Sequence, residues 1–211
     1  QLSNSQVRRV EELGEGKAVK VWKPKFGSVV SMVIDFNTTT GPTANKKVRA
    51  ALFQAIDRER IVKDAYSGHA KVAKSAISES FRDLYSPDVD YTKSHAFDPV
   101  AAGKLLDEAG YPLKAGSRFE ITLTFPTSFP IYPFDATARI VAAQWEKVGV
   151  KVKLTGFDTG VYIDKVYKKR EFEASVIALS AGPDPVLGVD RSFLCNKNRG
   201  GFVNPTGFCD E

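Results

Sequence analysis

The chain has 211 residues, 43% of them hydrophobic, with 30 basic and 25 acidic side chains, a net charge of +5 and a pI near 9.1. That length is enough for one sizeable core, and no apolar run reaches the ~18 residues of a helix that crosses a bilayer. The positive balance admits a nucleic-acid or anionic-membrane partner, although basic and acidic groups this evenly mixed read more simply as solvated surface.

Taken in chain order, residues 19–24 and 29–37 are expected to be extended. In the second stretch Val30, Met32, Ile34 and Phe36 alternate with Val29, Ser31, Val33 and Asp35. Phe26-Gly27-Ser28 is a turn candidate between them, and Thr38 to Asn45, with Gly41-Pro42, breaks the chain before a helix that begins near Lys46. Val48, Ala51, Leu52, Ala55 and Ile56 form one apolar stripe at i, i+3, i+4, i+7 and i+8, within two consecutive short helices that close on Tyr66-Ser67-Gly68. Residues 70–97 show no sustained period and predict a long surface excursion with short turns. Helix resumes with Asp98 as N-cap and Pro99 at its first position, and stops at Gly110.

The second half predicts strand, helix, strand, helix, strand. Ile121, Leu123 and Phe125 alternate with threonines. A helix that Asp135 would cap puts Ile140, Val141, Gln144, Trp145 and Val148 on one face and ends at Gly149. Val150, Val152 and Leu154 make the next strand, 159–170 the next helix, and 174–179 the last strand. Such alternation implies right-handed crossovers and parallel pairing. The expectation is a single α/β unit over 1–211, with a mostly parallel central sheet covered by helices. No internal repeat or second domain boundary is visible.

In an open α/β sheet, ligands sit beyond the carboxyl ends of the strands, where strand order reverses. That selects the loops 126–134, 156–160 and 180–191. The first, Pro126-Thr127-Ser128-Phe129-Pro130-Ile131-Tyr132-Pro133-Phe134, combines aromatic faces with hydroxyls ahead of a helix, and its simpler reading is a loop packed on that helix. Catalytic and nucleotide-binding signatures are missing: there is no G-x-G-x-x-G, P-loop, H-E-x-x-H or G-x-S-x-G. The two histidines, His69 and His95, have no Cys or Ser signature beside them. No catalytic residue, metal ligand or cofactor is therefore expected. Tyr162 with Val166 and Ile163 with Tyr167 are i, i+4 pairs that suit a packed helix face and leave Lys165, Lys168 and Lys169 to water. The alternative is a self-contained basic α/β domain that binds nucleic acid or regulates. Cys195 and Cys209 lie in a Gly/Asn/Pro-rich tail and are open to three readings: a disulfide, free or redox-active thiols, or zinc, for which four ligands would be needed.

Four segments, in order, carry a resemblance. Phe36-Asn37 is followed by Val48-Arg49-Ala50-Ala51-Leu52 and Ala55-Ile56-Asp57-Arg58-Glu59-Arg60-Ile61-Val62. Then come Phe97-Asp98-Pro99 through Leu105-Leu106-Asp107-Glu108-Ala109-Gly110-Tyr111, Ala143-Gln144-Trp145-Glu146-Lys147-Val148-Gly149-Val150-Lys151-Val152, and Pro183-Asp184-Pro185. The set resembles family 5 solute-binding proteins, the dipeptide, oligopeptide and nickel receptors of ABC importers. The resemblance implies a type II periplasmic-binding-protein lobe, with 1–211 as the second lobe of a two-lobe, monomeric protein whose other lobe and signal peptide lie outside this sequence. It also implies an extracytoplasmic location, a small peptide or other small polar solute as ligand, an ABC permease as partner, no nucleic acid, and a Cys195–Cys209 disulfide. The site residues expected are Thr127, Ser128, Phe129 and Tyr132 in the first loop, selected by its place beyond the carboxyl end of a strand, and Leu179, Ser180, Ala181 and Asp184 at the third, where the resemblance also bears. Peptide-binding members carry a Trp and an α-amine-pairing acid near the positions held here by Ala178 and Ala181, so a ligand held by its terminal ammonium does not follow.

Overall fold

The computed structural model describes residues 4–13, 30–180, 189–195 and 203–209, and the expected extended stretch at 19–24 and turn at 26–28 lie outside them. Helix α1 spans Asn4–Glu12. The alternation that follows folds as strand β1 (Val30–Phe36). A 3-10 turn at Pro42–Ala44 leads into α2 (Lys46–Gln54), whose N-cap Asn45 accepts from the Lys47 amide at 2.9 Å. Asp57 caps α3 (Arg58–Tyr66) in the same way, accepting from the Arg60 amide at 3.0 Å. The apolar stripe from Val48 to Ile56 is no more than 3% exposed throughout. In 70–97 the only helix is the four-residue α4 (Tyr91–Ser94). Asp98 then accepts from the Val100 and Ala101 amides to start α5 (Pro99–Glu108).

Strand β2 (Phe119–Pro126), helix α6 (Phe134–Lys147), strand β3 (Val150–Phe157), helix α7 (Thr159–Ile163) and strand β4 (Ala174–Ser180) complete the unit. Two details differ from expectation. Asp135 does not cap α6: the helix begins after Pro133, and Asp135 sits in its first turn, paired with Arg139 at 2.9 Å. The helix expected over 159–170 is α-helical only to Ile163 and continues as a wider π-helical turn over Asp164–Lys169. Arg170 ends it in the left-handed region at φ 55°.

The sheet has the order β1-β4-β2-β3, with β2 parallel to both β3 and β4 and only the edge strand β1 antiparallel. The mostly parallel sheet is thus mixed at one edge. One face packs on α2, α5 and α6 in a core that includes Leu52, Leu106, Ile121, Leu123, Val141 and Trp145. Trp145, fully buried, stacks on Phe36 at 5.9 Å and donates its indole N–H to the Leu52 carbonyl at 2.8 Å. It thereby satisfies an acceptor in the last turn of α2. The opposite face carries a smaller cluster of Tyr162, Val166, Tyr167 and Phe172 under the α7–π segment.

Gly103 lies inside α5, and a Cβ there would meet only the Arg118 guanidinium, at an ordinary 3.5 Å. Glycine in a helix interior is less stable than alanine by about 1 kcal/mol. Gly103→Ala is therefore expected to raise the unfolding free energy by about 0.5–1 kcal/mol in urea titration, with an unchanged m-value.

Candidate functional site

The connection from β2 goes to β3 on one side, and the connection from β3 returns over β2 to β4 on the other. Strand order therefore reverses at β2. In open α/β sheets a ligand is received beyond the carboxyl ends of the strands at such a reversal, here β2 and β4. The two strands pair only at Leu123–Ala174 and Thr124–Ser175, while β4 runs on to Ser180 beside β1. They diverge towards the loops.

Thr127 fastens the first loop to β3, donating both its amide (2.8 Å) and its hydroxyl (3.0 Å) to the Phe157 carbonyl. Gly156 makes this possible: a Cβ there would fall 2.6 Å from the Thr127 methyl. Thr127 thus shapes the loop and keeps only its lone pairs for a ligand. Ser128 and Phe129 are exposed at the loop tip, and Tyr132 is half-buried with its ring 5.5 Å from Phe134. Beneath it lies Tyr66, whose phenol burial pushes up to about 12. The second loop is rigid because Asp158 accepts from the Gly160 and Val161 amides at 2.9 and 3.1 Å. At the third, Leu179 is half-buried and Ser180 exposed. Ala181 and Asp184 lie outside the described residues. Of the eight expected positions, Thr127, Ser128, Phe129 and Tyr132 therefore fall on the loop after β2, and Leu179 and Ser180 are the last two residues of β4.

A depression of about 360 Å³ lies at the other pole, where Arg118 and Gly149 precede β2 and β3. Its central cation is committed to structure. Arg118 donates to the Val148 carbonyl, the Tyr111 carbonyl and the Asp107 carboxylate.

Two features were not expected from sequence. Arg191 in the tail donates to the Ser180 carbonyl at 3.4 Å, which brings the tail back to the end of β4. Asp35, on β1, faces the helix-covered side of the sheet opposite Ser175, and its Oδ2 is enclosed without a hydrogen-bond partner. Desolvation pushes its carboxyl up to about 7. The only signal was an acid flanked by Ile34 and Phe36 in a strand whose one other polar residue is Ser31.

Cys195 and Cys209 are joined in a disulfide with Cα atoms 5.0 Å apart. Asn204 braces the loop that it closes: its Nδ2 donates to the Leu194 and Phe208 carbonyls at 2.8 and 2.6 Å, one residue from each half-cystine. The loop in turn rests on the body through Thr38, whose amide and hydroxyl both donate to the Thr206 carbonyl. Thiol titration of the denatured, unreduced protein is expected to find no free thiol. Reduction should lower the stability of the tail by about 3 kcal/mol, the chain-entropy value for a loop of about 15 residues.

Residues 2–200 match the sequence profile of the bacterial extracellular solute-binding proteins, family 5, middle region. The chain belongs to that family. Among curated relatives, the glutathione-binding protein GsiB of Escherichia coli K12 is 32% identical over 152 residues, which are 71% of this chain but 27% of GsiB. The chain thus spans about a quarter of the length of such relatives. HbpA2 of Haemophilus parasuis superposes with a TM-score of 0.77 at 28% identity, covering 99% of this chain and 38% of that protein. NikA of Brucella suis, solved in complex with Fe(III)-EDTA, gives 0.66 at 27% identity over 87% of this chain and 36% of its own. The fold is that of the type II periplasmic binding proteins of this family.

Proposed function

We propose that the chain is the second lobe of an extracytoplasmic two-lobe receptor, which closes on a small peptide or other small polar solute and delivers it to an ABC permease. The strand-order reversal at β2 carries this reading, with Thr127, Ser128, Phe129, Tyr132, Leu179 and Ser180 at the carboxyl end of the sheet as its proposed contacts and Ala181 and Asp184, which follow in sequence, as further ones. The path of the chain supports a second lobe. Val30 and Ser180 are paired neighbours, so the chain enters β1 and leaves β4 at adjacent positions. This suits a hinge made of two adjacent strands. One relative is named a glutathione-binding protein and another was solved in complex with Fe(III)-EDTA, which supports a small, polar, charged solute. No chemical change to the solute is expected.

Membership in a solute-binding family favours this reading over a nucleic-acid-binding domain. So does the pairing of Lys165 with Glu171 and Lys169 with Asp164, at 3.0 and 2.6 Å. DNA binding is expected to be weak and to vanish as salt rises through the physiological range.

The test is a mass-spectrometric screen of the longer native polypeptide against glutathione, dipeptides, tripeptides and metal chelates, followed by calorimetry. One lobe supplies about half the contacts and leaves them solvated, where hydrogen bonds contribute little. The 211-residue chain is therefore expected to bind at least ~100-fold more weakly than the longer protein, about 2.7 kcal/mol. Equal affinities would abandon the two-lobe clamp.

A further inference from the structure

We propose that Asp35 is a positioning residue for the solute site, holding the α7–π segment on the sheet when protonated and loosening it when ionised. The inference rests on the reading of the loop at Asp158–Gly160 as part of that site, because this loop is the start of the same segment.

The geometry gives Asp35 one neutral resting state. It lies on the strand face covered by Tyr162 and Tyr167, with Ser175 as its cross-strand partner. The Tyr162 hydroxyl and Ser175 Oγ are bonded to each other at 2.5 Å, which uses one of their two O–H donors, and the Asp35 Oδ2 has no hydrogen-bond partner. Thr124, next along the ladder, gives its hydroxyl to the Ala174 carbonyl. No described cation answers the carboxyl. Lys165 and Lys169 are held by Glu171 and Asp164, and Arg191 acts on Tyr167 and bonds the Ser180 carbonyl. Burial accordingly pushes Asp35 towards neutral pH and both tyrosines well above their ordinary range. A charge at Oδ2 must then draw in water or turn the spare O–H of the Tyr162–Ser175 pair towards it, and either rearranges the contact between strand and helix, since a buried ionised carboxylate without donors is costly.

The turn above it is suited to yield. A π-helical stretch is a rare, wide form of helix that recurs at functional sites. Its far end is tied to the same strand two residues on: Asn37 donates to the Arg170 and Phe172 carbonyls at 3.1 and 3.0 Å. The segment is thus anchored at its carboxyl end and faces Asp35 with Tyr162 and Tyr167. Loosening it displaces the end that carries Asp158, Thr159 and Gly160.

Hydrogen exchange of the 211-residue chain decides the matter without any ligand. After correction for intrinsic rates, protection over residues 158–169 is expected to fall between about pH 4 and pH 7, by about tenfold per pH unit at most, the one-proton limit, and to level off above about pH 7. It should fall more than protection in α6, and it should be flat in Asp35→Asn. A parallel fall in both elements, or the same profile in Asp35→Asn, overturns the proposal. Calorimetry of the longer polypeptide with glutathione as probe should show affinity weakening over the same range in the wild type only. Absence of glutathione binding at every pH counts against glutathione as the solute, whereas flat exchange at 158–169 counts against Asp35.

Discussion

Relative to an Asp35→Asn variant, the wild-type chain is expected to lose about 4 kcal/mol of unfolding free energy between pH 4 and pH 8. The carboxyl is raised from 3.8 to about 7 by desolvation. Between those values the folded chain keeps a proton that the unfolded chain has released. Its contribution is therefore complete below about pH 4, declines as pH rises, and is gone above about pH 7. Asp90, depressed by its hydrogen bond from Thr92, and Asp164, depressed by Lys169, act in the opposite direction at lower pH. Both are present in the two proteins and cancel in the difference. Urea unfolding of both proteins at unit pH steps reads the effect directly. A difference that stays level from pH 4 to pH 8 would mean that Asp35 is hydrated or paired in solution.

The second large effect belongs to Trp145. Truncating a fully buried aromatic costs about 3–5 kcal/mol, and Trp145→Ala also strips the Leu52 carbonyl of its donor, which adds about 1–3 kcal/mol if the group stays buried. Against a typical total of about 5–15 kcal/mol, this variant is expected to be largely unfolded or nearly so at 25 °C. Trp145→Phe separates the two contributions, because it keeps a ring against Phe36 and removes only the indole donor. It should lose about 2 kcal/mol and remain folded. Circular dichroism with guanidinium titration gives both numbers. A loss under about 2 kcal/mol for the alanine variant would show that the core does not depend on this contact.

The elements were legible in the residues because their ends are written in local chemistry. Asp98-Pro99 starts α5, Asn45 and Asp57 start α2 and α3, and the stripe from Val48 to Ile56 is the buried one. Local chemistry misled at Asp135, where the buried Phe134 already belongs to the helix and leaves the acid to Arg139. It was silent on the π-helical turn, because i, i+4 pairing of Tyr162 with Val166 looks the same until the chain must also seat Tyr167 and Phe172 on the sheet. The antiparallel direction of β1 was not legible either, since alternation reports a face and not a direction. The loops at the carboxyl end of the sheet followed from topology. The commitment of Thr127 to Phe157 did not, because it depends on the space left by Gly156 thirty residues away.

Directly opposed residues in an antiparallel pair have Cα atoms about 4.5–5.5 Å apart. With Val30 opposite Ser180, everything between them forms a plug with both leads at one socket. Such a plug can be cut out and spliced into the surface loop of an unrelated host with little strain, since a short linker bridges the leads and the host's own ends need not separate. A fluorophore pair placed on host and plug would report whether the plug holds one orientation in its new setting.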